Sequence, residues 1–143
     1  MDAIKVKLRF DYLGQGKTGK FFGKKSLEQN AEEIRQHKVA LLRNVPSQGI
    51  RIEDIDMSGE VYTVYEEINR KEIAYAPVVI TISADSIEDA LKFAMKDEFR
   101  TVEVLEPENI SLTKADIERI LYKVSDELRD YKEYMLKKIN NWS

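Results

Sequence analysis

The chain has 143 residues, 43% hydrophobic and 34% charged, with a net charge of −3, one histidine and no cysteine. That is an ordinary globular composition, long enough for one core and too short for two. It excludes disulfides, thiolate metal sites and cysteine nucleophiles, and no apolar run approaches the ~20 residues of a membrane-spanning helix.

Nothing in "MDAIKVKLRF" reads as a secretory leader. A single cytoplasmic domain over residues 1–143, without membrane contact, is therefore expected. Charge is unevenly spread, with +5 on residues 1–25 and −8 on residues 26–143. A basic first segment can attract a polyanion, or it can pair with the acidic surface of its own fold or of a second subunit.

Residues 4–13 alternate, with Ile4, Val6, Leu8, Phe10 and Tyr12 on one side and Lys5, Lys7, Arg9 and Asp11 on the other. Period two predicts a strand with one face on the core and one in water. The loop "GQGKTG" follows, then "KFFGKK", which reads as a returning strand. A phosphate-binding loop would need a glycine separated by four residues from the glycine-lysine pair, and a helix starting at the lysine. Here Asp11 stands at the first glycine and no helix start is signalled before Ser26. The missing helix N-terminus removes the dipole and the amide donors that hold phosphate, so nucleotide hydrolysis is set aside. "GKTG" has the G-x-x-G form with which KH domains clamp a nucleic-acid backbone, but it follows a strand rather than a helix. What the segment retains is Lys17, Lys20, Lys24 and Lys25 with Phe21 and Phe22. Lysines suit phosphates and aromatic rings suit unpaired bases. These six residues are the candidate anion or nucleic-acid site, and the plainer reading is a basic hairpin with a phenylalanine at the core edge.

"SLEQ" at Ser26 is a capping-box pattern. Leu27, Ala31, Ile34, Leu41, Leu42 and Val45 outline a helix over about 27–44, closed by Pro46 and Gly49. His37 shares the face of Ile34 and Leu41, which predicts a partly buried, hydrogen-bonded histidine. "IRIEDID", the turn "MSGE" and "VYTVYEE" read as one hairpin, and "NRKE" turns the chain into "IAYAPVVITIS". Pro77 should lie at a strand start, a bulge or an edge, because it has no backbone donor. Asp54 and Asp56 fall on one side of a strand, a pairing that could hold Mg²⁺; the expectation is a solvated face, with no metal and no cofactor.

"ADSIEDALKFAMKDEF" predicts a second helix capped by Asp85, with Ile87, Ala90, Leu91, Ala94 and Met95 on its buried stripe. "RTVEVLEP" is a last strand ended by Pro107. Residues 78–110, "VVITISADSIEDALKFAMKDEFRTVEVLEPENI", resemble the C-terminal extension of WYL-type bacterial regulators. Those also run strand, helix and a strand ending in a "VLEP"-like stretch before a closing helix. The resemblance covers under a third of the chain and carries no residue roles.

The final helix, about 113–141, has the strongest signature. Thr113 and Asp116 form a capping pattern. Ile117, Leu121, Val124, Leu128, Tyr131 and Met135 then recur by four and three, with Trp142 on the same seam. Such a stripe is coiled-coil-like, and at ~1.5 Å per residue the helix spans about 42 Å. A domain of this size is roughly 37 Å wide, so the helix end is expected to meet a second chain, with Leu128, Tyr131, Met135 and Trp142 at the interface.

The element order predicts an α+β, ferredoxin-like-type sandwich: a mainly antiparallel sheet with helices on one face, plus an extra hairpin and the long C-terminal helix. No catalytic residues are identified. The expected function is a non-catalytic binding or regulatory module acting as a homodimer through its last helix. The alternative is nucleic-acid binding through residues 14–25.

Overall fold

The computed structural model describes residues 3–14 and 24–140, with the backbone alone for residues 24–26. The elements in chain order are β1 (Ile4–Leu13), α1 (Lys24–Asn44), β2 (Ile50–Asp56), β3 (Tyr62–Glu66), β4 (Lys71–Ala84), α2 (Ile87–Ala94), β5 (Phe99–Glu106) and α3 (Lys114–Asn140). No helix among the described residues is long and apolar enough to cross a membrane.

One antiparallel sheet of five strands organises the molecule, in the order β2-β4-β1-β5 with β3 also on β4. The 14-residue β4 carries β1 on one side and both β2 and β3 on the other. β2 takes the end of β4 from Val79 to Ala84, and β3 takes the end from Lys71 to Tyr75. The expected hairpin between "IRIEDID" and "VYTVYEE" is thus corrected: each strand pairs with β4 and neither with the other. Because β4 is longer than either, the two lie end to end along it.

That arrangement leaves a gap at Ala76–Val78, and Pro77 occupies it. Asp11 stands opposite Pro77, but the Asp11 N–H goes to the Glu98 carbonyl 2.9 Å away. The proline is therefore never asked for a donor, and its edge position is local to the gap. Its carbonyl accepts from the Arg35 guanidinium at 3.0 Å, which also reaches the Gly59 carbonyl at 2.6 Å. Glu32 receives the same guanidinium from one turn back. This contact holds the Glu32 carboxyl below its ordinary range.

The core lies between the sheet and two helices. Ile4, Val6, Leu8, Phe10 and Tyr12 of β1 are buried together with Val78, Ile80 and Ile82 of β4, Val39 of α1 and Phe93 of α2. Period-two alternation in β1 places them, as read from the sequence. Ala31 meets Ala74 and Ala76 in a second small cluster, where short side chains let α1 approach β4 closely. Gly14 belongs to the same approach: a Cβ there would sit 2.8 Å from the Ala31 amide nitrogen.

α1 departs from expectation in two ways. Its helix begins at Lys24, so Ser26 lies inside it rather than capping it, and Lys24-Lys25 are helical rather than part of a strand. Its buried face runs through Ala31, Arg35 and Val39, which turns His37 and Leu41 outward; both are exposed. A buried arginine shifted the phase by about one residue, which hydrophobicity alone does not reveal. In α2 the cap is Ser86, whose hydroxyl accepts from the Asp89 N–H at 3.2 Å, in place of Asp85. α3 starts as read: Asp116 N–H donates to the Thr113 hydroxyl at 3.1 Å, and Thr113 N–H donates to the Asp116 carboxylate at 2.9 Å.

Candidate interaction surface

The face of the sheet away from α1 and α2 carries the basic side chains of β1, and acidic groups of the same chain answer them. Lys5 Nζ lies 3.2 Å from Glu53, which stands at a bulge of β2. Glu53 is held below its ordinary range first by a hydrogen bond from Ser83 and then by Lys5. Lys7 is opposite Glu103 of β5 and contributes to lowering Asp56, after the hydrogen bonds from Ser58. Asp54 and Asp56 do share this face, paired with Thr81 and Val79. Among the described residues no group of three or more His, Cys, Asp or Glu is placed to hold a metal ion.

Asp11 is the one acidic residue that the alternation in β1 assigns to solvent and the structure buries, at 3% exposure. Arg9 Nε donates to it at 2.9 Å, Tyr62 Oη at 2.5 Å, and Arg100 Nε lies 3.6 Å away. Arg100 also stacks over Tyr75, and Tyr75 stacks on Tyr62 with ring centres 5.5 Å apart. The Arg9 guanidinium is raised above its usual range chiefly by its hydrogen bond to Asp11. The Tyr62 phenol is raised by burial and then by Asp11. Two cations and a phenol on one carboxylate form a cross-link joining β1, β3 and β5, with the charge of Asp11 balanced in place. Tyr62 and Arg100 lie far from Asp11 along the chain, so local sequence could not show them.

Of the six residues proposed for anion binding, Lys17, Lys20, Phe21 and Phe22 lie outside the described residues, while Lys24 and Lys25 open α1. Of the proposed interface residues, Trp142 lies outside as well. Leu128 is 58% exposed, and Tyr131 and Met135 are half-buried.

α3 meets its own domain through α2 and the turn after it. Arg119 Nε lies 3.5 Å from Glu88 of α2, and the Tyr131 hydroxyl donates to Asp97 at 2.5 Å. This bond raises the Tyr131 phenol above its ordinary value. The less exposed positions along this side are Asp116, Ile120, Lys123, Glu127 and Tyr131, a largely polar row. Ile117, Leu121 and Leu128, on the neighbouring row, are 47%, 63% and 58% exposed, and Val124 is 36% exposed. The helix therefore presents its polar side to its own domain and the first four positions of its apolar seam to water. Comparison with protein-family models, with curated proteins and with solved structures gives no match for this chain. Function must therefore be read from these surfaces alone. Close by, Val102 and Val104 of β5 stand opposite the buried Leu8 and Val6, yet both remain half exposed. β5 is an edge strand whose core-side face is only partly covered.

Proposed function

We propose that this protein is a non-catalytic binding or regulatory module that acts as a homodimer through α3. The observation that carries the reading is the orientation of α3: Ile117, Leu121, Val124 and Leu128 are all exposed while a polar row faces α2. A helix of 27 residues whose first four seam positions are left exposed among the described residues gains its stability from a partner more readily than from propensity. A second copy offers a stripe of the same spacing, which a two-fold axis makes self-complementary.

The order β2-β4-β1-β5, with α1 and α2 as the intervening helices, supports reading the fold as ferredoxin-like, with β3 and α3 as additions. Sedimentation velocity is the test. The chain should run as a dimer at ~50 µM, in the range where interfaces of standard size associate. The Leu121→Glu, Leu128→Glu double variant should run as a folded monomer, since both side chains are exposed in the protomer. A wild-type monomer at that concentration overturns the proposal.

A further inference from the structure

A cleft of about 260 Å³ opens between the C-terminal half of α1 and α2. Its floor is aromatic: Phe10 and Tyr12 stack with ring centres 6.1 Å apart, and Phe93 of α2 joins them. Its wall is the outer side of the end of α1, where Leu41 and Val45 are 44% and 58% exposed. Exposed aliphatic groups over a recessed aromatic floor leave an apolar slot that water fills poorly.

The rim of this slot is cationic. Lys38, Lys92 and Lys96 line it against a single carboxylate, Glu98. Lys38 is 3.8 Å from Glu98, and Lys92 Nζ sits 5.7 Å from the centre of the Phe93 ring. Lys96 has no carboxylate within 4.0 Å among the described residues. Asp97, Glu127 and Asp130 lie on the far side of Lys38 and Lys96, in the neighbouring groove under α3, and Asp97 there accepts from Tyr131. Lys92 lines the slot alone, whereas Lys38 and Lys96 are shared between the slot and that groove. Tyr12 adds a phenol that burial, and secondarily Glu98, keeps protonated, so it can donate but not repel.

Apolar floor, cationic rim and small volume together specify one class of ligand. We propose that this cleft binds a small amphiphilic carboxylate, its apolar body on Phe10, Phe93 and Leu41 and its head group between Lys92 and Lys96. Lysines are compact point charges without the two-pronged geometry of arginine, which suits a singly charged head and does not select a phosphate. The space accommodates an apolar body of about ten heavy atoms. The site goes beyond the dimer reading and does not rest on it, since none of its lining residues belongs to α3.

The test is an amide-resolved NMR titration with octanoate, octan-1-ol and octylammonium, each up to about 5 mM. Octanoate should move the amides of Phe10, Leu42 and Phe93 and bind roughly fivefold more tightly than octanol, with octylammonium weakest, as a charge-assisted head-group contact requires. Lys92→Glu with Lys96→Glu, both at the rim, should weaken octanoate about tenfold while leaving octanol within about twofold. An unchanged spectrum elsewhere in the double variant establishes that it is folded. Absence of shifts, equal affinity for octanoate and octanol, or shifts confined to Ile117, Leu121, Val124 and Leu128 would each overturn the proposal.

Discussion

Where β2 has ended and β3 has not yet begun, the Pro77 carbonyl of β4 has no strand to pair with, and the Arg35 guanidinium takes it together with the Gly59 carbonyl. A buried cation is tolerated because its donors are used: two carbonyls and the Glu32 carboxylate share them. Removing it strands the buried Pro77 carbonyl, whose desolvation is then uncompensated, and takes a partner from the part-buried Gly59 carbonyl. Arg35→Met keeps the apolar stem but should lower stability by about 2–4 kcal/mol, the range seen when one partner of a buried polar network is lost. Urea denaturation with an unchanged slope would measure it. Arg35→Lys should lie between, because one ammonium cannot span both carbonyls and Glu32. If Arg35→Met were neutral, Arg35 would not be bracing the gap.

Strand pairing and helix phase turn on interactions between elements, and that is where sequence was weakest. The alternation of β1 and the stop at Pro107 were legible because burial of one strand face is a local pattern. The false β2–β3 hairpin came from chain proximity across "MSGE"; only the length of β4 decides that both strands lie along it. The phase of α1 was hidden by Arg35, and the Asp11 cross-link by partners as distant as Tyr62 and Arg100. The start of α3 was legible because a capping box is self-contained. It also makes a measurable claim. Asp116 lies below its ordinary value of 3.8, first through its hydrogen bond from the Thr113 backbone. A depressed folded-state value means that the carboxylate stabilises the helix start above pH 3.8 and that this contribution is lost as pH falls through the lower, folded value. Amide exchange in the first turn of α3 should therefore quicken below that pH relative to the core strands. Thr113→Ala should quicken it roughly fivefold at neutral pH, the equivalent of one lost cap. Exchange that is insensitive to both changes would show that packing on α2, not the cap, holds the helix start.

For the whole molecule, the spacing of the α3 seam sets the geometry that the proposed dimer can adopt. With the two helices antiparallel about a point between Val124 and Leu128, facing layers alternate as coiled-coil packing requires. Val124 then meets the partner's Leu128, Ile117 the partner's Met135, and Leu121 only the ring edge of the partner's Tyr131, whose hydroxyl stays bonded to Asp97 of its own protomer. In that register the flanking positions pair Glu118 with the partner's Lys132 at each end, and Ser125 with the partner's Ser125 on the axis. A parallel pairing sets Glu118 level with its own copy and forfeits this match of charge. The chain has no cysteine, so single introduced thiols report the arrangement without background. A short bis-maleimide should bridge a Ser125→Cys dimer efficiently. It should fail on Glu118→Cys, whose two copies would stand ~24 Å apart along the helix axis. Equal bridging of both variants would establish a parallel pair, and bridging of neither would remove α3 from the interface. Both substitutions are on exposed positions of α3, so each outcome reports the contact between protomers rather than the folding of one.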